Sequence, residues 1–237
     1  VTPISDQMFR KALRERGLVA VPDRGRPEHL AADWPETEVI VDVGVDTGTP
    51  HLYNAFPDRK FVLIDPRAEA EHDTLANGAP RDYDFHACAV GAASGTLALH
   101  IPTMRQGPNP AMAGFKPITG RMGRTVTGYE TRLVPVVPLD RIMQAYPGRV
   151  GLKIDTEGYE LEVLQGASET LPRCDFVILE LSVTHRYDDL APPSRVVAEL
   201  AQAGLELRDI LRSTGDGRGG AQPRLFDALF TRWEARN

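Results

Sequence analysis

The sequence predicts an α/β protein built on a doubly wound, mostly parallel sheet. Three observations predict it. Short apolar runs alternate with segments of helical periodicity along most of the 237 residues, the pattern of a sheet covered on both faces. Two early runs, Glu38-Val-Ile-Val-Asp42 and Phe61-Val-Leu-Ile-Asp65, each end in an acid. A turn containing Gly44 and Gly48 follows the first of them, as a strand feeding a nucleotide-binding helix requires.

Each element has its own justification. Residues 6–16 read as a short amphipathic helix, and the run Val21-Pro-Asp-Arg-Gly-Arg-Pro27 as a connector, so residues 1–35 form an N-terminal helical extension ahead of a main domain at 36–237. After the two acid-ended strands, residues 85–90 and 97–101 read as strands joined by a turn at 91–95. Residues 132–137 read as an edge strand, because Pro135 has no N–H to give a ladder. Residues 139–146 can form a helix, and Val150, Leu152 and Ile154 mark a buried strand. Leu161 and Leu164 then recur at helical spacing. Residues 176–181 are another buried strand and 194–203 another helix. Residues 205–211 and 224–231 close the sheet, with 214–221 as a mobile hairpin connection.

Composition narrows the class without naming it. The net charge of −6 argues against a nucleic-acid binder. No apolar run is long enough for a membrane span, and Asp6, Arg10, Lys11 and Arg14 interrupt any signal-peptide core. Cys88 and Cys174 are the only cysteines, each in an apolar stretch. One disulfide is arithmetically open, but buried free thiols in a cytoplasmic protein are the expectation. Lys11, Lys60, Lys116 and Lys153 are the only lysines beside many arginines, which points to bacterial, GC-rich coding rather than a polybasic role.

The turn Val41-Asp42-Val43-Gly44-Val45-Asp46-Thr47-Gly48 carries the cofactor expectation. Asp65 lies 23 positions after Asp42, placed to grip a ribose hydroxyl pair. NAD binding by an oxidoreductase or epimerase would show similar spacing. A pyrophosphate tolerates acids poorly, however, and this turn holds Asp42 and Asp46. S-adenosylmethionine carries a sulfonium and an ammonium and no phosphate, so an acidic loop suits it. In the plainest reading, Gly44 and Gly48 only form a tight turn and Asp46 only caps a helix.

The stretch Lys153-Ile154-Asp155-Thr156-Glu157-Gly158 closely resembles the signature of the FkbM family of S-adenosylmethionine-dependent methyltransferases. Other segments are similar to that family in turn: Asp42-Val43-Gly44 through Gly48, Asp65-Pro66, Ala89-Val90-Gly91, and Pro135-Val136-Val137-Pro138-Leu139-Asp140. The turn departs from the family at Val45-Asp46-Thr47. The resemblance implies a Rossmann-like methyltransferase sheet. It also implies a cofactor site at Asp42, Gly44, Gly48, Asp65 and Pro66, with Arg67 bordering the adenosine and His86 and Cys88 just before the Ala-x-Gly turn; the charge argument adds Asp46 to the cofactor-binding residues.

Methyl transfer to a hydroxyl needs in-line alignment and removal of a proton. Asp155 and Glu180 end successive predicted strands. Two carboxylates converging there could hold a divalent cation such as Mg²⁺, or act simply as hydrogen-bonded strand caps. Glu157 and His185 are the remaining candidates for the base. Glu157 could instead complement a helix start, and His185 could be a surface residue beside Arg186, Tyr187, Asp188 and Asp189. Residues 102–131, rich in glycine, methionine and aromatics, read as a substrate lid suited to a sugar or a glycosylated intermediate. The alternative is a floppy insertion. The N-terminal extension and the lid are also where a second copy would dock in a homodimer. A cofactor-binding module without catalysis is the non-enzymatic alternative.

Overall fold

The computed structural model describes residues 6–17, 31–214 and 223–233. Along the chain come α1 (Asp6–Glu15), β1 (Val39–Val43), α2 (Pro50–Ala55), β2 (Lys60–Ile64), α3 (Glu69–Asn77), β3 (Tyr83–His86) and β4 (Ala89–Val90). They are followed by β5 (Gly95–Met104), β6 (Gly107–Pro108), α4 (Gly120–Gly123), β7 (Val126–Val137) and α5 (Leu139–Met143). The last elements are β8 (Val150–Ile154), α6 (Glu160–Gln165), β9 (Cys174–Ser182), α7 (Pro193–Gln202), β10 (Leu205–Thr214) and β11 (Leu225–Arg232).

Seven strands form the main sheet in the order β10-β11-β9-β8-β1-β2-β3. The pairs from β9 through β3 are all parallel. β11 runs antiparallel to both β9 and β10. From β1 the chain winds outward to β2 and β3, then returns to the other side of β1 at β8. The carboxyl ends of β1 and β8 are therefore the topological switch point, where open α/β sheets take their ligands.

Side-chain alternation explains why both faces are covered. Val41, Val43, Leu152, Ile154 and Leu179 face a core shared with Leu139 of α5, Leu164 of α6 and Leu200 of α7. Ile40, Phe61, Leu63, Phe176 and Ile178 face the opposite core with Leu52 of α2. All five residues of β1 and all nine of β9 are buried, with Asp42, Asp175 and Glu180 the acids among them.

The middle of the chain departs from expectation. The apolar run 85–90 is two strands, for it breaks after His86 and β4 joins a second sheet of order β4-β7-β5-β6. Residues 132–137 are the end of a 12-residue strand, β7, paired antiparallel along β5. β7 is internal, but β4 reaches only Val136 and Val137, leaving that side of Pro135 unpaired. The region 102–131 is largely ordered: its ends lie in β5 and β7, and His100 exchanges hydrogen bonds with Gly114. The connectors expected at 21–27 and after Thr214 fall outside the described residues. Cys88 and Cys174 are buried free thiols.

Candidate active site

The sequence at the switch point dictates a tight crossing. Gly44 has φ +79° and donates its N–H to Ile64 O at 2.9 Å, while Asp155 donates its N–H to Val43 O at 2.9 Å. A Cβ on Gly44 would overlap the carbonyl oxygen of Asp155, so only glycine lets the two strand ends meet. Asp65, at the end of β2, accepts the backbone N–H of Asp46 on Oδ2 at 2.9 Å and of Arg67 on Oδ1 at 2.8 Å. The buried Arg67 guanidinium reaches Asp46 Oδ1 at 2.8 Å and Asp65 Oδ1 at 3.3 Å. Burial pushes the Asp65 pKa up, opposed by Arg67.

Two cavities meet here. A narrow one of about 120 Å³ runs between Asp65, Pro66, Arg67 and Cys88 on one side and Asp155, Glu157 and Tyr159 on the other. Pro110, Ala111 and residues 113–115 roof it. A wider one of about 620 Å³ follows Gly44 through Thr49 to Lys153, Glu180, Arg212 and Asp227. Gly44, Asp46 and Asp155 border both.

Asp155 and Glu180 converge because β8 and β9 are parallel neighbours, although β9 runs on to Ser182, and Glu157 joins them: one oxygen from each of the three acids lies within 4.8 Å of the others. Glu157 is not a helix-start acid. It has φ +52°, ahead of α6, a conformation that non-glycine residues seldom adopt. Glu160 does the local work instead. Its Oε1 accepts from Thr156 N–H, the Thr156 hydroxyl and Gly158 N–H at 3.2, 3.2 and 2.9 Å, which closes the signature loop. Burial, then the Asp155 charge, push Glu157 up to about 7, against the pull of Arg186. Burial, Asp155 and Glu157 push Glu180 up to about 8, again against Arg186.

Arg186 and Tyr187 are the site residues that the sequence did not reveal. Arg186 donates from Nη1 to Glu180 at 2.6 Å and from Nη2 to Glu157 at 3.1 Å, and the Tyr187 hydroxyl donates to Glu157 Oε2. His185, the expected candidate, is exposed and lines neither cavity. The loop turns Arg186 and Tyr187 inward in its place. The pair expected to hold a metal, Asp155 and Glu180, thus already has a guanidinium against Glu180.

Two more expectations are redirected. Asp42 lines neither cavity. Fully buried, it accepts from Tyr53 at 2.9 Å and Lys153 at 3.0 Å, so it anchors the strands behind the cleft. Asp42 and Asp155 also outweigh the effect of burial and raise the Lys153 pKa. His86 bonds the Tyr146 hydroxyl at 3.1 Å and lines neither cavity. Gly48, Pro66, Arg67 and Cys88 do line the cleft. Burial raises the Cys88 thiol pKa, which suits a packing surface rather than a nucleophile.

The doubly wound sheet, with a glycine turn and converging acids at its switch point, is that of a Rossmann-like domain, and the family match makes it a methyltransferase domain. The Methyltransferase FkbM domain matches residues 42–216, and the chain belongs to that family. No curated protein matches it. Among solved structures it is similar to the methyltransferase FkbM of Methylobacillus flagellatus KT, at 15% identity and TM-score 0.48 over 82% of this chain and 43% of that one. The chain thus spans less than half the length of that protein. It is also similar to fibrillarin of Aeropyrum pernix, which holds S-adenosyl-L-methionine (13% identity, TM-score 0.44, 92% and 73% covered). A third is the magnesium protoporphyrin IX methyltransferase of Synechocystis, with bound SAM (8% identity, TM-score 0.43, 98% and 86% covered).

Proposed function

We propose that this protein is an S-adenosylmethionine-dependent O-methyltransferase acting on a hydroxyl of a saccharide or a glycosylated natural-product intermediate. The observation that carries the reading is that Glu157, with its pKa pushed up to about 7, opens onto the same cleft as the cofactor turn and Asp155. A carboxylate with that pKa is suited to take a proton at neutral pH.

The donor set fits the cofactor. Asp65 spends its two oxygens on backbone N–H groups and Arg67 but keeps acceptor capacity for hydroxyls. Cys88 and Pro66 offer apolar surface, and Asp46 and Asp155 supply negative charge near the turn. Bound there, the cofactor would supply a methyl group on a sulfonium. Glu157 would accept the acceptor's proton, and Arg186 and the Tyr187 hydroxyl would hold its carboxylate in place. Phe115 of the roof and Tyr159 of the wall, with ring centroids 4.8 Å apart, both line the narrow cavity and offer an aromatic surface on which a sugar face can stack.

Mg²⁺ is not needed to balance the acids, because Arg186 bridges two of them. Asp155 and the remaining carboxylate oxygens are nonetheless hard ligands that could take such a cation.

The test is turnover with S-adenosylmethionine labelled in its methyl group and a panel of free and glycoside-linked sugars, read as labelled product. Transfer to hydroxyls is the expected result, with the rate unchanged by a chelator. Transfer only to amines or carbon would overturn the reading of the acceptor. A rate abolished by chelation and restored by Mg²⁺ would restore the metal to the mechanism.

A further inference from the structure

The roof of the narrow cavity is joined to the residue that clamps the acids. Thr119 donates its N–H to Arg186 O at 2.8 Å, and Asp188 donates its N–H to Pro117 O at 2.9 Å. Ile118 and Tyr187 form an antiparallel bridge between them. The backbone of residues 186–188 is thus held by segment 105–125, while the Arg186 side chain reaches the other way, to Glu180 at 2.6 Å and Glu157 at 3.1 Å.

The same segment is fastened again to the start of α6 and the residue before it. Lys116 pairs with Glu162 at 2.9 Å, and Phe115 packs against Tyr159. Gly114 lies so close that a Cβ there would come within 3.1 Å of Glu157 O. The residues that roof the narrow cavity, Pro110, Ala111 and 113–115, run directly into residues 117–119, so a movement of the segment as a whole would break the bonds that set the backbone of Arg186. Conversely, three carboxyl groups lie within 4.8 Å of one another; Lys153 faces Asp155 at 3.8 Å, and Arg186 bonds the other two, so the grouping of Glu157 with Glu180 depends on where Arg186 is held.

We propose that Arg186 is a positioning residue that couples closure of segment 105–125 to assembly of the Glu157–Glu180 pair, so that the base is aimed only when the cleft is covered. The functional meaning of this coupling rests on the methyl-transfer reading of the site; the coupling itself rests on the contacts alone. Because coupling between sites is reciprocal, changing the acids must loosen the roof although they lie outside it.

Hydrogen exchange of the full chain tests this, following segment 113–119 with and without S-adenosylhomocysteine. Arg186→Met should speed exchange there by roughly tenfold, the equivalent of losing about one charge-assisted hydrogen bond. Arg186→Lys, able to reach one acid but not bridge two, should lie between. The double variant Glu157→Gln/Glu180→Gln keeps the roof sequence intact and should speed the same segment, with β2 and β9 as protected as in the unaltered protein. Should Arg186→Met fail to fold, the acid double variant still decides. Unchanged exchange of 113–119 in that stable double variant overturns the proposal. Failure of S-adenosylhomocysteine to bind the unaltered protein would overturn the methyl-transfer reading instead, and the ligand-free variants would still report the coupling.

Discussion

The base role proposed for Glu157 places a charge where burial disfavours it, and that conflict has opposite consequences for rate and for stability. Burial and the neighbouring Asp155 hold its pKa at about 7, and Glu180 at about 8. Turnover should therefore rise with pH through about 7 as Glu157 ionises. In Glu157→Gln that limb should vanish and kcat should fall by roughly 10²–10⁴, with S-adenosylhomocysteine binding retained. A pH–rate profile of the two proteins checks both points. Stability moves the other way. A carboxyl whose folded pKa is raised binds its proton more tightly folded than unfolded. Its contribution is complete below the ordinary carboxylate range and is lost as pH rises through the folded pKa. Thermal unfolding should thus show a loss of several kcal/mol between about pH 5 and pH 8, and Glu157→Gln/Glu180→Gln should flatten it. An equal loss in the double variant would mean that other groups cause it. Gly44 makes a simpler demand: with φ +79° and Asp155 O in the way, Gly44→Ala should cost more than about 3 kcal/mol or prevent folding. Soluble expression and a melting curve would show which.

The strands β1 and β8 are tied by more than their ladder. Lys153 reaches across from β8 to Asp42 at 3.0 Å, and Tyr53 of α2 completes the carboxylate at 2.9 Å. Lys153→Met would leave Asp42 fully buried without its cation, a loss of about 3–5 kcal/mol. Adding Asp42→Asn should recover a large part of that, because the uncompensated charge goes with it. Denaturant unfolding of the three variants gives the cycle, and purely additive losses would mean that the pair is not coupled. This network also shows what was legible in the sequence. Asp42 closes the apolar run in the sequence while the strand continues one residue further, to Val43, so the switch point could be read to within a residue. Its partner lies 111 residues away, so its orientation could not. The convergence of Asp155 with Glu180 followed from consecutive strand ends. That Arg186 and not His185 turns inward depends on a loop whose neighbours, Asp188 and Asp189, look like surface. The order of segment 105–125 rests on distant partners, His100 for Gly114 and Tyr187 for Ile118, while its local composition is that of a loop. Nothing punctuates the run 85–90 where it divides between two sheets.

Across the molecule, both cavities lie at the carboxyl ends of the parallel strands, and acids face them from three of those ends: Asp65 after β2, Asp155 after β8 and Glu180 on β9. Asp46, in the turn after β1, borders both. That charge distribution separates the two cofactors such a sheet could serve. A dinucleotide would bring a pyrophosphate toward Asp46 and Asp65, whose one close cation, Arg67, is already shared between them. S-adenosylmethionine would bring positive charge to the same carboxylates. A ligand that binds only the folded protein at about 100 times its Kd adds about 2.7 kcal/mol. For a domain of this size that is a rise in Tm of roughly 5–10 °C. Saturating S-adenosylmethionine or S-adenosylhomocysteine should produce it, and NAD at the same concentration should shift Tm by less than about 1 °C. Arg67→Ala should not rescue NAD binding, because removing the guanidinium leaves Asp46 and Asp65 uncompensated and repels a pyrophosphate further. A Tm raised by NAD and unmoved by S-adenosylhomocysteine would reverse the assignment and make the acidic turn a structural feature of the β1–α2 crossing.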